Sequence, residues 1–460
     1  MADTISAYSK TAASNTTLQS ISCAEGMAPS DVNNWMRAIM QDLAELYDGT
    51  QSLATLKATT ALSAADGSTS VPSVQFTSDT NTGLYRPAAD TVGVVTGGTE
   101  QFRFGSNPIP GGSKNLFHNG DFAVAQRGTS VTGIGAGAAA YNVFDGVINT
   151  GLSGSETGRY TMSQSTTVPA NTGHRQSMKV DITTADASID AGHWYYLEMR
   201  LEAQNVSHLQ YGESGAKPLT VSFWTRSTTT GDYQFLLSQP DGSRAYSTGY
   251  TISSADTWEK KTLTIPGDTG GTINNDTGVG LILTFMLTGG SSSQGGTEDA
   301  WAAVANDMYG AGQTLNLFSS TSNDWYMAGL QVEVGSVATD FEFEDYGTTL
   351  QKCQRYFERR DWADAADIIA HGASTWTNTS AAAVFFQQEM RTSPTITLNT
   401  ASTYRFVDQT NSVTAASSNT AGAISPTTFV LNLSHGSDPT RGAGYMTAVS
   451  ATYFEASAEL

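Results

Sequence analysis

Six histidines, two cysteines and 43 acidic residues are the side chains of this 460-residue sequence that could carry acid–base, nucleophilic or metal chemistry. The histidines, His118, His174, His193, His208, His371 and His435, are scattered, and no two stand four residues apart. A zinc site on a helix wants that spacing, and other zinc sites want clustered cysteines. Cys23 and Cys353 are far apart, which gives no disulfide framework and suits a chain folded in a reducing cytosol. No G-x-S-x-G elbow is present to seat a serine nucleophile. Gly133-Ile-Gly-Ala-Gly-Ala138 matches a loose dinucleotide-loop pattern, but no strand and helix frame it, so a flexible turn is expected. Paired carboxylates could cleave a glycoside. With 43 acids in the chain some will be neighbours by chance, and none is singled out by its surroundings. Asp121, in a tight turn, could join backbone carbonyls around calcium. A turn Asp bonding its own backbone is the commoner arrangement and the one expected. The expectation is a protein that is not an enzyme and holds no metal and no cofactor.

The charge balance narrows the partners. The formal net charge is −20, and no basic stripe offsets it locally. Such a surface repels phosphate backbones, so nucleic acid is excluded as a partner, and anionic lipid is disfavoured. Neutral glycan or protein fits better. The opening residues lack the apolar core of a signal peptide. The longest apolar run, Val279 to Leu287, is far short of the ~20 residues of a membrane helix. No membrane insertion is expected, and exit from the cell would need lysis or a partner.

The elements that must position any site are mostly strands. Only 14% of residues are charged, and short apolar runs are cut by Gly, Asn, Asp and Pro, which indicates a mainly β chain of several domains. One helix stands out, opened by Pro29 and Ser30 and ended by Gly49. Val32, Trp35, Met36, Ile39, Met40, Leu43, Leu46 and Tyr47 recur along it at helical spacing. So short a helix is marginal alone in water and needs partners. Val32, Ile39, Leu46 and Leu53 stand seven apart, a spacing that permits a self-associating seam as readily as a core-facing stripe. After a connector at 57–75, brief strands alternate with tight turns from Val74 to Phe104, and Asn107–Ser113 reads as a linker. From Asn115 to Phe343 about ten strands suggest a two-sheet sandwich or jelly roll. Leu219, Val221 and Phe223 share one face there, and Pro240-Asp-Gly242 starts a hairpin. Leu350–Phe357 reads as a short helix or a helix-to-strand transition. A small β-sandwich then follows to Leu460, with a long polar insertion from Asp408 to Pro426.

Several stretches resemble a known family. Asn115-Leu-Phe-His-Asn-Gly-Asp-Phe-Ala-Val-Ala-Gln-Arg-Gly-Thr129 is similar to the opening of carbohydrate-binding-module-like domains in bacteriophage tail fibres. The likeness continues through Leu197–Glu202, Lys217–Thr225, Trp258–Ile265, Leu330–Glu342, Tyr346-Gly347 and Cys353–Phe357. Thr82–Pro87 with Val92–Glu100 resembles a shaft segment, and Glu455–Leu460 resembles the usual terminus of such fibres. The resemblance implies an elongated homotrimer in four parts. These are a tail-attachment region at 1–56, connector and β shaft at 57–113, a jelly roll at 114–345, and a C-terminal β domain at 346–460 that is a candidate receptor-binding tip. It implies a virion protein, assembled in the bacterial cytoplasm, that joins a tail or baseplate protein and adsorbs to a host glycan or protein. A structural connector fibre and a capsule depolymerase remain as alternatives. Val32, Trp35, Met36, Ile39, Leu43 and Leu46 would form the attachment or trimer seam. Trp376, Tyr404 and Tyr445 are candidate receptor contacts, since sugar rings stack on exposed aromatic faces; buried, each would be an ordinary core residue. Carbohydrate-binding modules often carry an acidic residue for calcium in the closing strand. Here Ala328-Gly329 stands in that place, which implies no calcium site.

Overall fold

The computed structural model describes residues 17–18, 21–22, 28–47, 64–104, 114–135, 137, 139–151, 156–313, 315–362, 367–376, 378–437, 439–448 and 452–460. They fall into two compact units, Met1–Pro108 and Ile109–Leu460. Strands dominate both, and among the described residues no helix is long and apolar enough to cross a membrane. Cys23 lies outside the described residues.

In the first unit the expected helix spans Pro29–Tyr47. Ala38 is buried and Ile39 half-buried, while Val32, Met36, Met40 and Leu43 are 41–67% exposed. Further along, Val74–Phe76, Asp79–Tyr85, Val92–Thr96 and Thr99–Phe104 form a four-stranded antiparallel meander in sequence order. Gly97 and Gly98 both take positive φ, 58° and 79°, as a two-residue hairpin turn of primed type demands. Gly93 leaves room for the Tyr85 ring, which a Cβ there would meet at 2.3 Å. That lets Tyr85 cross the strand and bond the Glu100 carboxylate. Tyr85 and Val95 are buried, whereas Val74, Phe76, Leu84 and Val92 remain exposed.

The second unit contains the expected sandwich. One sheet runs Glu259–Ile265, Leu219–Ser227, Asp324–Val334, Ser177–Thr184, Arg159–Ser165 and Ser130–Ile134 in spatial order. Its partner runs Trp301–Ala303, Arg244–Ile252, Gly231–Gln239, Val279–Gly289, Trp194–Glu202, Val147–Gly151 and Ala140–Tyr141. Alternation decides which side chains fill the gap between them. Leu219, Val221 and Phe223 enter the core as expected, opposite Tyr195, Leu197, Met199 and Leu201. The hairpin signal at 240–242 joins Gly231–Gln239 to Arg244–Ile252. Val279–Gly289 is buried on both faces because the outer face is roofed as well. Met308 and Tyr309, from the 290–313 segment, pack there on Trp194, Tyr196, Met286, Leu236 and Ala245.

The C-terminal portion departs from expectation. It is not a small sandwich but a closed six-stranded barrel with a three-stranded sheet beside it. The polar stretch 408–426 is not an insertion: it contains the strand Val413–Gly422, which pairs with Tyr404–Asp408 on one side and Thr428–His435 on the other, closing the barrel. Its Thr, Ser, Asn and Ala residues hid a strand that has mostly solvent on its outer face. Phe357–Trp362, Thr452–Ser457 and Thr395–Leu398 form the side sheet. Tyr346–Gln354 is the expected short helix, capped by the Asp345 carboxylate, which accepts from the Thr348 N–H at 3.0 Å.

Candidate functional site

Two clefts flank the Tyr346–Gln354 helix beside the turn segment 114–121 that leads into the sandwich. The first, about 480 Å³, is lined by His118, Glu202, His208, Lys352, Arg355 and Tyr356 among others. It is held by a buried ion pair. Both Glu202 oxygens accept from the Arg355 guanidinium, at 2.7 and 2.9 Å, and the Tyr356 hydroxyl donates to Glu202 at 2.8 Å. Gln204 donates to the same carboxylate at 2.6 Å. His118 stacks on Tyr356 with centroids 5.0 Å apart. Burial, with a smaller contribution from Lys352, pushes its pKa down to about 4, so the ring is neutral at pH 7. Its Nε2 has no hydrogen-bond partner among the described residues. With its carboxylate and guanidinium spent on each other, this cleft is chiefly a joint between sandwich and helix.

The second cleft, about 340 Å³, has a different lining. Phe341, Phe343 and Tyr346 supply aromatic rings, and Gln164, Arg175, Gln176 and Asp121 supply polar groups. Phe343 is 52% and Tyr346 58% exposed. Beneath them His174 is buried against Phe341 and Phe343, with centroids 4.9 and 5.1 Å away, and its Nδ1 lies 2.6 Å from Asp121 Oδ1. Asp121 therefore bonds a histidine, where a bond to its own backbone was expected. Gly329 makes room for that pair. Its φ is +60°, and a Cβ on it would stand 2.4 Å from the imidazole. Ala328-Gly329 thus holds the His174 ring in the closing strand, and among the described residues no group of three acidic, His or Cys side chains could hold a metal.

The residues singled out from the sequence are not brought together. Val32, Met36 and Leu43 are exposed on the first unit's helix and Ile39 is half-buried; the side chains of Trp35 and Leu46 lie outside the described set. In the barrel, Tyr404 is fully buried and its hydroxyl donates to the Tyr453 carbonyl at 2.8 Å, so it is a core residue that no receptor reaches. Tyr445 is half-buried beside His371, and the Trp376 side chain lies outside the described set. The histidines stay dispersed except for His118 and His208, which share the first cleft. His435 Nε2 lies 2.8 Å from the Ser380 hydroxyl inside the barrel wall, where both are buried. Sequence reasoning missed Arg175, Phe343 and Tyr346. A signal was present in Phe341-Glu-Phe-Glu-Asp-Tyr346, which sets aromatic residues among acids just past the last sandwich strand.

No family model matches the chain, and no curated protein matches it. Among solved structures it is similar to the enzymatically active domain of tailspike protein 4 of bacteriophage CBA120, at 11% identity and a TM-score of 0.26. That match covers 48% of this chain and 21% of the tailspike chain, so the chain spans about a fifth of that structure's length. It is also similar to the N-terminal cellulose-binding domain of a Cellulomonas fimi β-1,4-glucanase, at 12% identity and a TM-score of 0.22, over 47% of this chain and 100% of that one. A family 11 carbohydrate-binding module from Clostridium thermocellum, in complex with a mixed-linked tetrasaccharide, gives 15% identity and a TM-score of 0.20 over 48% and 95%. At such scores the likenesses carry no argument, and the fold rests on the sheets described above.

Proposed function

We propose that this chain is a non-enzymatic virion protein, a trimeric tail fibre that joins a phage tail through its first unit and adsorbs to a bacterial surface glycan or protein through its second. The observation that carries this reading is the apolar surface of the first unit. Val32, Met36, Met40, Leu43, Val74, Phe76, Leu84 and Val92 are all exposed in the single chain. Isolated exposed apolar residues are unremarkable, but a short helix and a small meander bearing this many need burial to be stable. Threefold self-association supplies it and also links three weak surface sites into one avid contact. The ordered resemblance to tail fibres and the charge of −20, which turns away nucleic acid, agree with it.

The test is adsorption of the labelled, purified chain to a panel of bacterial strains, with released sugar assayed in the supernatant. Saturable binding without sugar release is expected. Sugar release would replace this reading with the depolymerase, and absence of binding to any strain would favour a structural connector.

A further inference from the structure

We propose that the cleft under Phe343 and Tyr346 is a pocket for a neutral pyranose, an assignment that rests on the adhesion reading and gives it a site. The outer face of the seven-stranded sheet is covered. Met308 and Tyr309 roof one side of it, over Trp194, Tyr196, Met286, Leu236 and Ala245. On the other side, Arg200 and Tyr141 both donate to the Leu460 main-chain oxygen at 2.8 Å, which seats the 458–460 segment there. The open concavity with free aromatic faces lies instead at the 341–346 segment.

Its chemistry suits a sugar ring. A pyranose offers an apolar C–H face and a rim of hydroxyls that both donate and accept. Phe343 and Tyr346, each more than half exposed, offer ring faces at the mouth. Around them stand a planar acceptor, a planar donor and two amides. Asp121 is held through Oδ1 by His174, and its other oxygen has no partner among the described residues. The Arg175 guanidinium and the Gln176 amide likewise have no hydrogen-bond or ion-pair partner among the described residues and line the cleft. Gln164 is fixed by donating to the Phe122 and Ala123 carbonyls at 2.8 and 3.1 Å, which leaves its oxygen to accept. The guanidinium matches a pair of adjacent hydroxyls, and the free carboxylate oxygen accepts from a third. The volume, about 340 Å³, is at the small end of the ~300–1,000 Å³ of ligand sites, so one or two rings fit. An acidic sugar is disfavoured, because Asp121, Glu342 and Glu344 outnumber Arg175 and Lys352 around the cleft and the whole chain carries −20.

The probes are the methyl glycosides of glucose, galactose and mannose, with methyl glucuronide as the anionic comparison, observed by saturation-transfer NMR on the full chain. At least one neutral glycoside should bind, and its Kd should weaken about tenfold in Phe343→Ala and again in Tyr346→Ala, the cost of a lost stacking face. Arg175→Ala, at an exposed position with no intramolecular partner among the described residues, gives a third variant that should leave folding untouched. No transfer to any neutral glycoside, unchanged binding in all three variants, or a preference for the glucuronide would each overturn the assignment. The two readings separate on cells. Adsorption that persists in all three variants sinks the cleft and keeps the adhesin, whereas absence of adsorption by the unaltered chain sinks the adhesin itself.

Discussion

Gly329 shows how one missing methyl group can set a local arrangement. Its positive φ costs a side-chain-bearing residue about 1–3 kcal/mol, and a Cβ would collide with His174 besides. Gly329→Ala should therefore lower the melting temperature and expel His174 from Asp121. Adding His174→Ala should recover the collision but not the backbone cost, so the double variant should melt above Gly329→Ala and below the unaltered chain. Glu202 makes a second case. Its side chain is fully buried and it satisfies Arg355, Tyr356 and Gln204 together, while Arg355 keeps 28% of its surface. Glu202→Ala leaves the guanidinium and the phenol unpaired and should cost about 3 kcal/mol, the low end for a broken buried pair because Arg355 still reaches water. Glu202→Gln, which keeps the shape and part of the bonding, should cost less. Chemical denaturation of both variants checks the order.

At the scale of elements, the join between the sandwich and the three-stranded side sheet is electrostatic and responds to pH. Arg127 sits between two buried carboxylates, Asp145 and Glu459, each 2.9 Å away, with the Phe357 ring beneath it. One cation cannot fully offset two buried anions. Burial, opposed by Arg127, pushes Asp145 up to about 7 and raises Glu459 as well. The folded state therefore binds more protons than the unfolded one between the ordinary carboxylate range and about pH 7. By linkage this contribution to stability is full at low pH and is lost as the pH rises through about 7. His118 runs the other way. Its pKa of about 4 lies below the ordinary 6.5, so its contribution is present above 6.5 and lost as the pH falls toward 4. Asp145→Asn should raise the melting temperature at pH 7 more than at pH 5. His118→Phe, which keeps the stack on Tyr356, should flatten the loss below pH 6. Melting curves across pH 4–8 separate the two.

These elements also show what the sequence disclosed. The sandwich strands carry their periods openly because their alternating side chains fill a core, and the 29–47 helix and the 74–104 meander show theirs in apolar positions that the single chain leaves largely exposed. The barrel did not, because after Val413 its closing strand Val413–Gly422 is built from Thr, Ala, Ser, Asn and Gly, which show no large apolar alternation. Tyr404 looked like a platform since nothing in its sequence neighbourhood distinguishes a buried ring from an exposed one. The 341–346 cleft showed in the sequence only as its run of aromatic residues among acids. Its parts come from segments near 121, 164, 175 and 343 that only the fold assembles.

For the whole molecule, the account turns on association through the first unit. Met36 and Leu43 are 56% and 55% exposed on its helix, so aspartate at either position should be tolerated by a lone chain. In an assembled seam it would bury like charges threefold, and Met36→Asp or Leu43→Asp should shift the protein toward monomer while the melting of residues 109–460 stays unchanged. The most direct measurement is the solution mass of the unaltered chain by light scattering coupled to size exclusion. The fibre account predicts a mass three times 48.5 kDa. A monomer of 48.5 kDa across the accessible concentration range would contradict it, leaving a stand-alone glycan-binding protein in its place.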